Sequence, residues 1–362
     1  MKKKVFLALL MAAMLLLAYA CAPAAVESAA TADAQTAEAA TEAPAATEAP
    51  AATEAPAGIV AADVKVGLVL TGALGDQSVN DQAYAGLMYC QENYGVQVKA
   101  VECTDASMYA EAAQMFCEEG YNLVVFNAFN QEEALRTVAP AYPNVNFMLL
   151  DTVVDDIPNV ACFTYATHEV SFLAGVLAAR KSTTGVVGFI GGMEIPTIQK
   201  YQKGFEEGVA YVNPADTVIA KYVGNDNNAW SDPATAKSLT LDEIANGADV
   251  CFHAAGGSGL GMIEACNEKG VYSIGVNIDQ SHLAPDTVLT SALTRGDVAI
   301  EMFVKSYLDG AVLTGHTTLN CANGGVGLVE SSFFTDDDKA AIADVTAKII
   351  SGEIKVTNVM DY

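Results

Sequence analysis

Residues 63–362 are predicted to form two doubly wound α/β lobes, each built on a parallel sheet, facing one another across a cleft. Three observations predict this. Apolar runs of strand length recur at 64–70, 96–101, 123–126, 147–150, 186–190, 218–223, 250–252 and 272–276. Stretches of helical period separate them, at 82–94, 109–119, 131–139, 168–180, 197–212 and 259–269. Polar and glycine-rich residues gather where the strands end. Strands apolar on both faces are covered on both, and alternation with helices requires parallel crossovers. Two such series predict two lobes. The first is expected over 62–167 with a returning piece near 282–316, and the second over 168–281 with about 317–362, joined by about three crossings.

The segment ahead of this body carries an address. Lys2, Lys3 and Lys4 precede an apolar run over 5–17, and then Ala18-Tyr19-Ala20-Cys21. A basic head, a short apolar core and small residues before a cut site read as a secretory signal over 1–20. The run is shorter than the roughly 20 residues a membrane-spanning helix needs. With Cys21 after it, the segment resembles a bacterial lipoprotein signal, although Ala18 stands where Leu is usual. Lipidation at Cys21 is expected, with simple secretion as the alternative. Residues 21–61 then form a linker of Ala, Thr, Glu and Pro, with Ala-Ala-Thr-Glu-Ala-Pro repeated at 39–44, 45–50 and 51–56. With almost no large apolar side chains, burial cannot offset the entropy of ordering it, and a proline every six residues interrupts any helix. A flexible coil of this length reaches about 35 Å.

Composition excludes some functions. The 362 residues carry 44 acidic and 18 basic side chains, a formal net charge of −26. Losing the three signal lysines leaves 15 against 44, or −29. Such a chain repels phosphate backbones, so no nucleic-acid partner is expected. Apolar residues make up 52% of the chain, enough for a substantial core.

Ligands of open parallel sheets bind at the carboxyl ends of the strands. Those ends here carry 72–80, Asp151, Gly191-Gly192, the glycine run 256–261 and Asn277-Ile278-Asp279-Gln280. Five polar exits able to converge predict a binding cleft.

Asp76-Gln77-Ser78-Val79-Asn80 with Ala85-Gly86-Leu87 resembles the opening motif of the basic membrane protein family of substrate-binding lipoproteins. The resemblance continues through Phe147-Met148-Leu149-Leu150-Asp151, Ser171-Phe172-Leu173-Ala174-Gly175, Gly188-Phe189-Ile190-Gly191-Gly192-Met193 and Gly204-Phe205-Glu206-Glu207-Gly208. It goes on with Gly247-Ala248-Asp249-Val250, the 256–261 run, 275–280 and Leu289-Thr290-Ser291, in order from 63 to about 310. It implies a type I periplasmic-binding-protein fold and a receptor that delivers a nucleoside, of purine type, to an ABC importer. Its expected partners are a nucleoside-like small molecule, the importer's permease and the membrane, through a lipid anchor on the extracytoplasmic face of the cell membrane. The receptor is expected to act as a monomer without cofactor or metal.

A purine needs flat faces to stack on and polar groups that read its ring nitrogens and ribose hydroxyls. The site residues expected on this resemblance are Asp76, Ser78, Asn80, Phe129, Asp151, Tyr201, Trp230, Gly256, Gly257, Asn277 and Asp279. Tyr201 would stack, Asp151 and Asp279 would accept hydrogen bonds, and 76–80 would close from the other lobe. Val79 stands where the family has a stacking phenylalanine, Asn277 where an aspartate is frequent, and Thr294-Arg295 where a lysine is usual. These departures leave a free base or another flat heterocycle such as riboflavin open. Trp230 either lines the cleft or packs under a loop.

Enzyme readings find little support. The 256–261 run lacks the G-x-G-x-x-G spacing of a dinucleotide site. His168-Glu169 is followed by Phe172 where a zinc helix would place its second His, and the four histidines have no ligand spacing. His253 could touch a ligand or sit satisfied in the core. Seven cysteines follow Cys21 without a C-x-x-C and read as buried free thiols. An extracellular nucleoside-cleaving enzyme and a ligand sensor remain as alternatives.

Overall fold

A computed structural model describes residues 58–360. The expected signal peptide, Cys21 and nearly all of the linker lie outside the described residues. In chain order the first elements are β1 (Lys65–Leu70), α1 (Val79–Tyr94), β2 (Gln97–Glu102), α2 (Met108–Glu118), β3 (Leu123–Phe126), α3 (Glu132–Val138), β4 (Asn146–Leu150) and β5 (Val160–Tyr165). There follow α4 (Thr167–Lys181), β6 (Val186–Met193), α5 (Pro196–Val212), β7 (Thr217–Gly224), α6 (Pro233–Ala245), β8 (Val250–Ala254), α7 (Gly259–Lys269) and β9 (Tyr272–Asn277). The last are β10 (Val288–Thr294), α8 (Gly296–Leu308), β11 (Gly315–Leu319), β12 (Val326–Leu328) and α9 (Asp336–Ser351).

Two six-stranded sheets result, ordered β11-β5-β4-β3-β1-β2 and β12-β10-β9-β8-β6-β7. Their pairings are parallel, except that β12 runs antiparallel to β10. Central strands such as β3, β5 and β8 are buried at every residue, as strands covered by helices on both faces must be. The edge strands β2 and β7 are half-exposed and carry Lys99 and Lys221, charges that discourage pairing with another chain.

The chain passes between the sheets three times among the described residues: after β5, after β10 and after β11. The expected first-lobe return near 282–316 is displaced. β10 hydrogen-bonds to β9 in the second sheet, and the return begins at α8, which packs on α1. The shift has a plain cause. Which sheet a short apolar run joins is decided by its pairing partner, and a run read only as Leu289-Thr290-Ser291 carries no such information.

The second lobe is held by the crossing of α4 and α5, which is closer than side chains permit. A Cβ on Gly208 would lie 2.0 Å from the Phe172 carbonyl oxygen, one on Gly175 2.2 Å from that of Phe205, and one on Gly204 2.3 Å from that of His168. The backbones touch through three glycines. Beside them Phe189, Phe205 and Phe252 form a buried aromatic cluster under the second sheet. The seven cysteines within the described residues are unpaired, five of them buried.

Candidate ligand-binding cleft

The carboxyl ends of both sheets open on one cavity of about 690 Å³, within the size range of small-molecule sites. The first lobe contributes the β1–α1 loop, the exits of β2 and β3, and Asp151 after β4. The second contributes the head of α5, the turn before α6, the glycine turn before α7 and the end of β9. Of the expected site residues, Asp76, Asn80, Phe129, Asp151, Tyr201, Trp230, Gly256, Gly257 and Asn277 line it.

Several of these polar groups are already committed to the scaffold. Asp76 accepts from the backbone N–H groups of Ser78 (2.9 Å), Asn80 (3.1 Å) and Asp81 (3.2 Å), which caps the head of α1. Burial pushes its carboxyl above the ordinary value, against those N–H groups. The Asn80 amide oxygen accepts from Thr71 N–H, from the Thr71 hydroxyl and, at 2.9 Å, from Asn127. Asn277 donates to Ser78 Oγ at 2.8 Å and accepts from Thr294 Oγ1 at 2.9 Å.

Asp151 differs. Its carboxyl opens partly onto the cavity and is otherwise enclosed by protein. Burial pushes it up to about 6, partly opposed by the ammonium of Lys200. Lys200 is itself buried, 5% exposed, and donates to the Tyr165 carbonyl oxygen at 2.9 Å. The cation thus backs the carboxylate without entering the cavity lining. Asn130, which also lines the cavity, holds a buried amide oxygen without a hydrogen-bond partner. Of the two, the Asp151 carboxyl is the one open to the cavity.

The aromatic groups form the wall. Phe129 of the first lobe meets Trp230 of the second edge to face, with ring centroids 6.2 Å apart and planes at 74°. Gly192 seats the indole, since a Cβ there would lie 2.2 Å from its ring. Trp230 therefore lines the cleft. Tyr201 lines it as well but is only 7% exposed, its ring packed on Phe252 and its hydroxyl 3.5 Å from Asn277 Oδ1. It offers an edge of the cavity floor. Val79 faces the cavity, so the wall is aliphatic there.

Two expected site residues are placed elsewhere. Asp279 is exposed, lies outside the lining and accepts from Ser281 N–H at 2.9 Å, which makes it a turn residue. Ser78 is fully buried, its hydroxyl spent on Asn277. Arg295 pairs with Asp297 at 2.8 Å, and neither it nor Thr294 lines the cavity. Conversely, Asn130, Tyr109 and Ile198 line it and were not expected. Each occupies a strand exit or the first turn of the following helix, and that position was the signal available.

Among the described residues, Gln77, Asp151 and Asn277 are the non-glycine residues with left-handed backbone, at φ +50°, +66° and +67°. All three stand at strand exits of the cleft, where strain tends to collect at binding sites. No group of three His, Cys, Asp or Glu is placed to hold a metal ion among the described residues. No helix there is long and apolar enough to cross a membrane.

Comparison with known proteins gives a consistent picture. The family described as ABC transporter substrate-binding protein PnrA-like (Bmp) matches residues 63–359. The ABC transporter nucleoside-binding protein BmpA of Lactococcus lactis is 30% identical over 322 residues, covering 83% of this chain and 90% of that protein. Basic membrane protein D of Borreliella burgdorferi is 32% identical over 272 residues, covering 73% of this chain and 78% of the relative. An ABC transporter solute-binding protein from Aeropyrum pernix superposes with a TM-score of 0.75 at 26% identity, covering 83% of this chain and 94% of its own. The two lobes are thus similar to the type I periplasmic-binding fold.

Proposed function

The chain belongs to the family of PnrA-like ABC transporter substrate-binding proteins, and from that premise we propose that it captures a purine nucleoside in the cleft and delivers it to an ABC importer. The observation that carries this reading is a cavity of about 690 Å³ walled by the Phe129–Trp230 pair and opening onto the Asp151 carboxylate. The carboxylate is an acceptor, suited to ribose hydroxyls and to ring N–H groups. No basic side chain lines the cavity. A neutral ligand is therefore favoured over an anionic one, whose buried charge would lack a partner. The Lactococcus relative, named for nucleoside binding, adds weight.

A second reading rests on Val79. With an aliphatic wall at that point the cavity also suits another flat heterocycle, broader such as riboflavin or smaller such as a free base. Calorimetric titration of inosine, guanosine, adenosine and riboflavin separates the two. Binding of at least one nucleoside more tightly than riboflavin is expected; the reverse order would favour the second reading, and no binding of any would remove the nucleoside and the flavin together.

The reading also includes attachment to the extracytoplasmic face of the membrane through a lipid on Cys21. A Cys21→Ser chain is expected to leave the detergent phase for the aqueous phase on partitioning. Its retention in detergent would contradict the anchor.

A further inference from the structure

We propose that Gln280 is a positioning residue that holds the lobes around the ligand, through a buried relay running from His253 to the Gln77 carbonyl on the other side of the cleft. The inference rests on the reading of the cleft as the ligand site. Neither Gln280 nor His253 lines the cavity, and both are 0% exposed.

Every hydrogen-bonding group of Gln280 is assigned by its neighbours. Its amide oxygen accepts from Val276 N–H at 3.0 Å and faces His253 Nε2 at 2.9 Å. An amide oxygen can only accept, so the histidine proton belongs on Nε2. Burial lowers the His253 pKa to about 4, which keeps the ring neutral. The backbone N–H of Gln280 goes to Ser291 Oγ at 3.0 Å. Its amide nitrogen then points one way, to the Gln77 carbonyl oxygen of the first lobe at 2.8 Å.

Two glycines keep space for this relay. A Cβ on Gly275 would lie 2.6 Å from the Gln280 amide oxygen, and one on Gly259 would lie 2.0 Å from the His253 ring. Gly259, part of the glycine run after β8, thus serves the histidine. At the far end, Gln77 stands at φ +50° and anchors the loop that shapes Asp76. Its backbone N–H and side-chain amide both reach Asp81, and its side-chain oxygen lies 3.0 Å from His282 Nε2. Opening the lobes breaks the Gln280–Gln77 bond, and closing restores it away from water.

The isolating variant is Gln280→Glu. It keeps an acceptor for His253 and Val276 but sets an acceptor against the Gln77 carbonyl. The titratable groups around the position are His253 from β8, His282 from the next turn, and Asp76 and Asp81 across the cleft. At pH 8 the variant is expected to bind the best of inosine, guanosine, adenosine and riboflavin at least about tenfold more weakly than wild type, mainly through faster dissociation. Measured as a ratio to wild type at the same pH, which removes the fall that Asp151 gives both proteins, affinity should recover toward pH 5.5, where a protonated carboxyl can again donate to Gln77. Gln280→Met, which has no donor or acceptor in either state, should remain weak at both pH values. Small-angle scattering of the ligand-free Gln280→Glu protein should show a larger radius of gyration than wild type at pH 8, narrowing at pH 5.5. Affinity and scattering equal to wild type at both pH values would overturn the relay. So would a pH-independent loss accompanied by the same fall in melting temperature as Gln280→Met. Should none of the four compounds bind wild type, the ligand reading falls, while the scattering comparison still decides the relay.

Discussion

Asp151→Ala is expected to weaken ligand binding by at least about tenfold at pH 7.5. The carboxylate is a cavity-facing acceptor that the scaffold leaves open, with the Lys200 ammonium close enough to oppose its rise in pKa. Deleting it strands a ligand donor in a closed cavity, and a hydrogen bond to a charged partner contributes about 1.5–3 kcal/mol. That corresponds to roughly 10- to 150-fold in affinity. The same carboxyl gives binding a pH dependence of known sign. In the empty protein burial holds its pKa up to about 6, so protons compete with ligand donors as pH falls through 6. Wild-type affinity should be flat above pH 7 and about tenfold weaker at pH 5, where roughly nine in ten carboxyls are protonated. Asp151→Asn should flatten that profile.

Folding stability moves the other way. A carboxyl whose pKa is raised by folding weighs against the folded state as pH rises from the ordinary value of 3.8 through about 6, and costs nothing well below 3.8. Ligand-free wild type should therefore lose this part of its stability as pH rises through 6, a slope that Asp151→Asn removes. Titration across pH 5–8 with parallel melting curves checks both halves. A variant that binds like wild type at pH 7.5 would remove Asp151 from the site.

Gly208→Ala is expected to lower the stability of the protein by about 3 kcal/mol or more, although alanine is the better helix former. Intrinsic propensity alone would favour alanine by about 1 kcal/mol in the middle of α5. Against it stands a Cβ placed 2.0 Å from the Phe172 carbonyl oxygen, a backbone atom that cannot rotate away. Relief requires α4 and α5 to part, which opens the packing of Phe205 and Val209 against the second sheet. Overpacking costs typically 1–3 kcal/mol even where side chains can yield, and here both surfaces are main chain. A fall in melting temperature of roughly 5 °C or more follows for a body of this size. Gly208→Val should not yield folded protein. An Ala variant that melts at or above wild type would show that the crossing is looser than this geometry.

The interior of the fold was legible because its strands are apolar on both faces. β1, β3, β6 and β8 stand where the apolar runs do, within a few residues. β5, β10, β11 and β12 were not read. Thr164 interrupts β5, and β11 opens Gly-His-Thr-Thr, polar residues that are strand only because they pair. The partner of β11 lies far away in sequence: it pairs with β5 across about 150 residues, with Gly315 beside Ala161. α6, α8 and α9 escaped as well. In α6 and α9 the buried stripes are narrow, three residues of thirteen and three of sixteen, so only tertiary contact selects the buried face; α8 buries Ala299, Ile300, Phe303 and Val304 at helical spacing and was legible but not read.

The site divides along the same line. Sequence alone placed Asp76, Asn80, Asp151, Gly256 and Asn277 at the mouths of strands, because ligands of parallel sheets bind where the strands end, and left Trp230 open between the cleft and a loop. It also determined that the chain is acidic and begins its folded part near residue 63, since composition requires no partner to be read. It could not determine what each polar side chain is bonded to. Asp279 and Asp151 are both aspartates following strands, yet one caps its own turn in solvent and the other faces the cavity with a buried cation behind it. That difference comes from residues distant in sequence, Lys200 and Tyr165 among them, which only the folded chain brings to Asp151. Hydrogen-bond assignment is a property of pairs in space, and for that reason the tertiary structure alone decided which of the expected site residues are scaffold and which are left for a ligand.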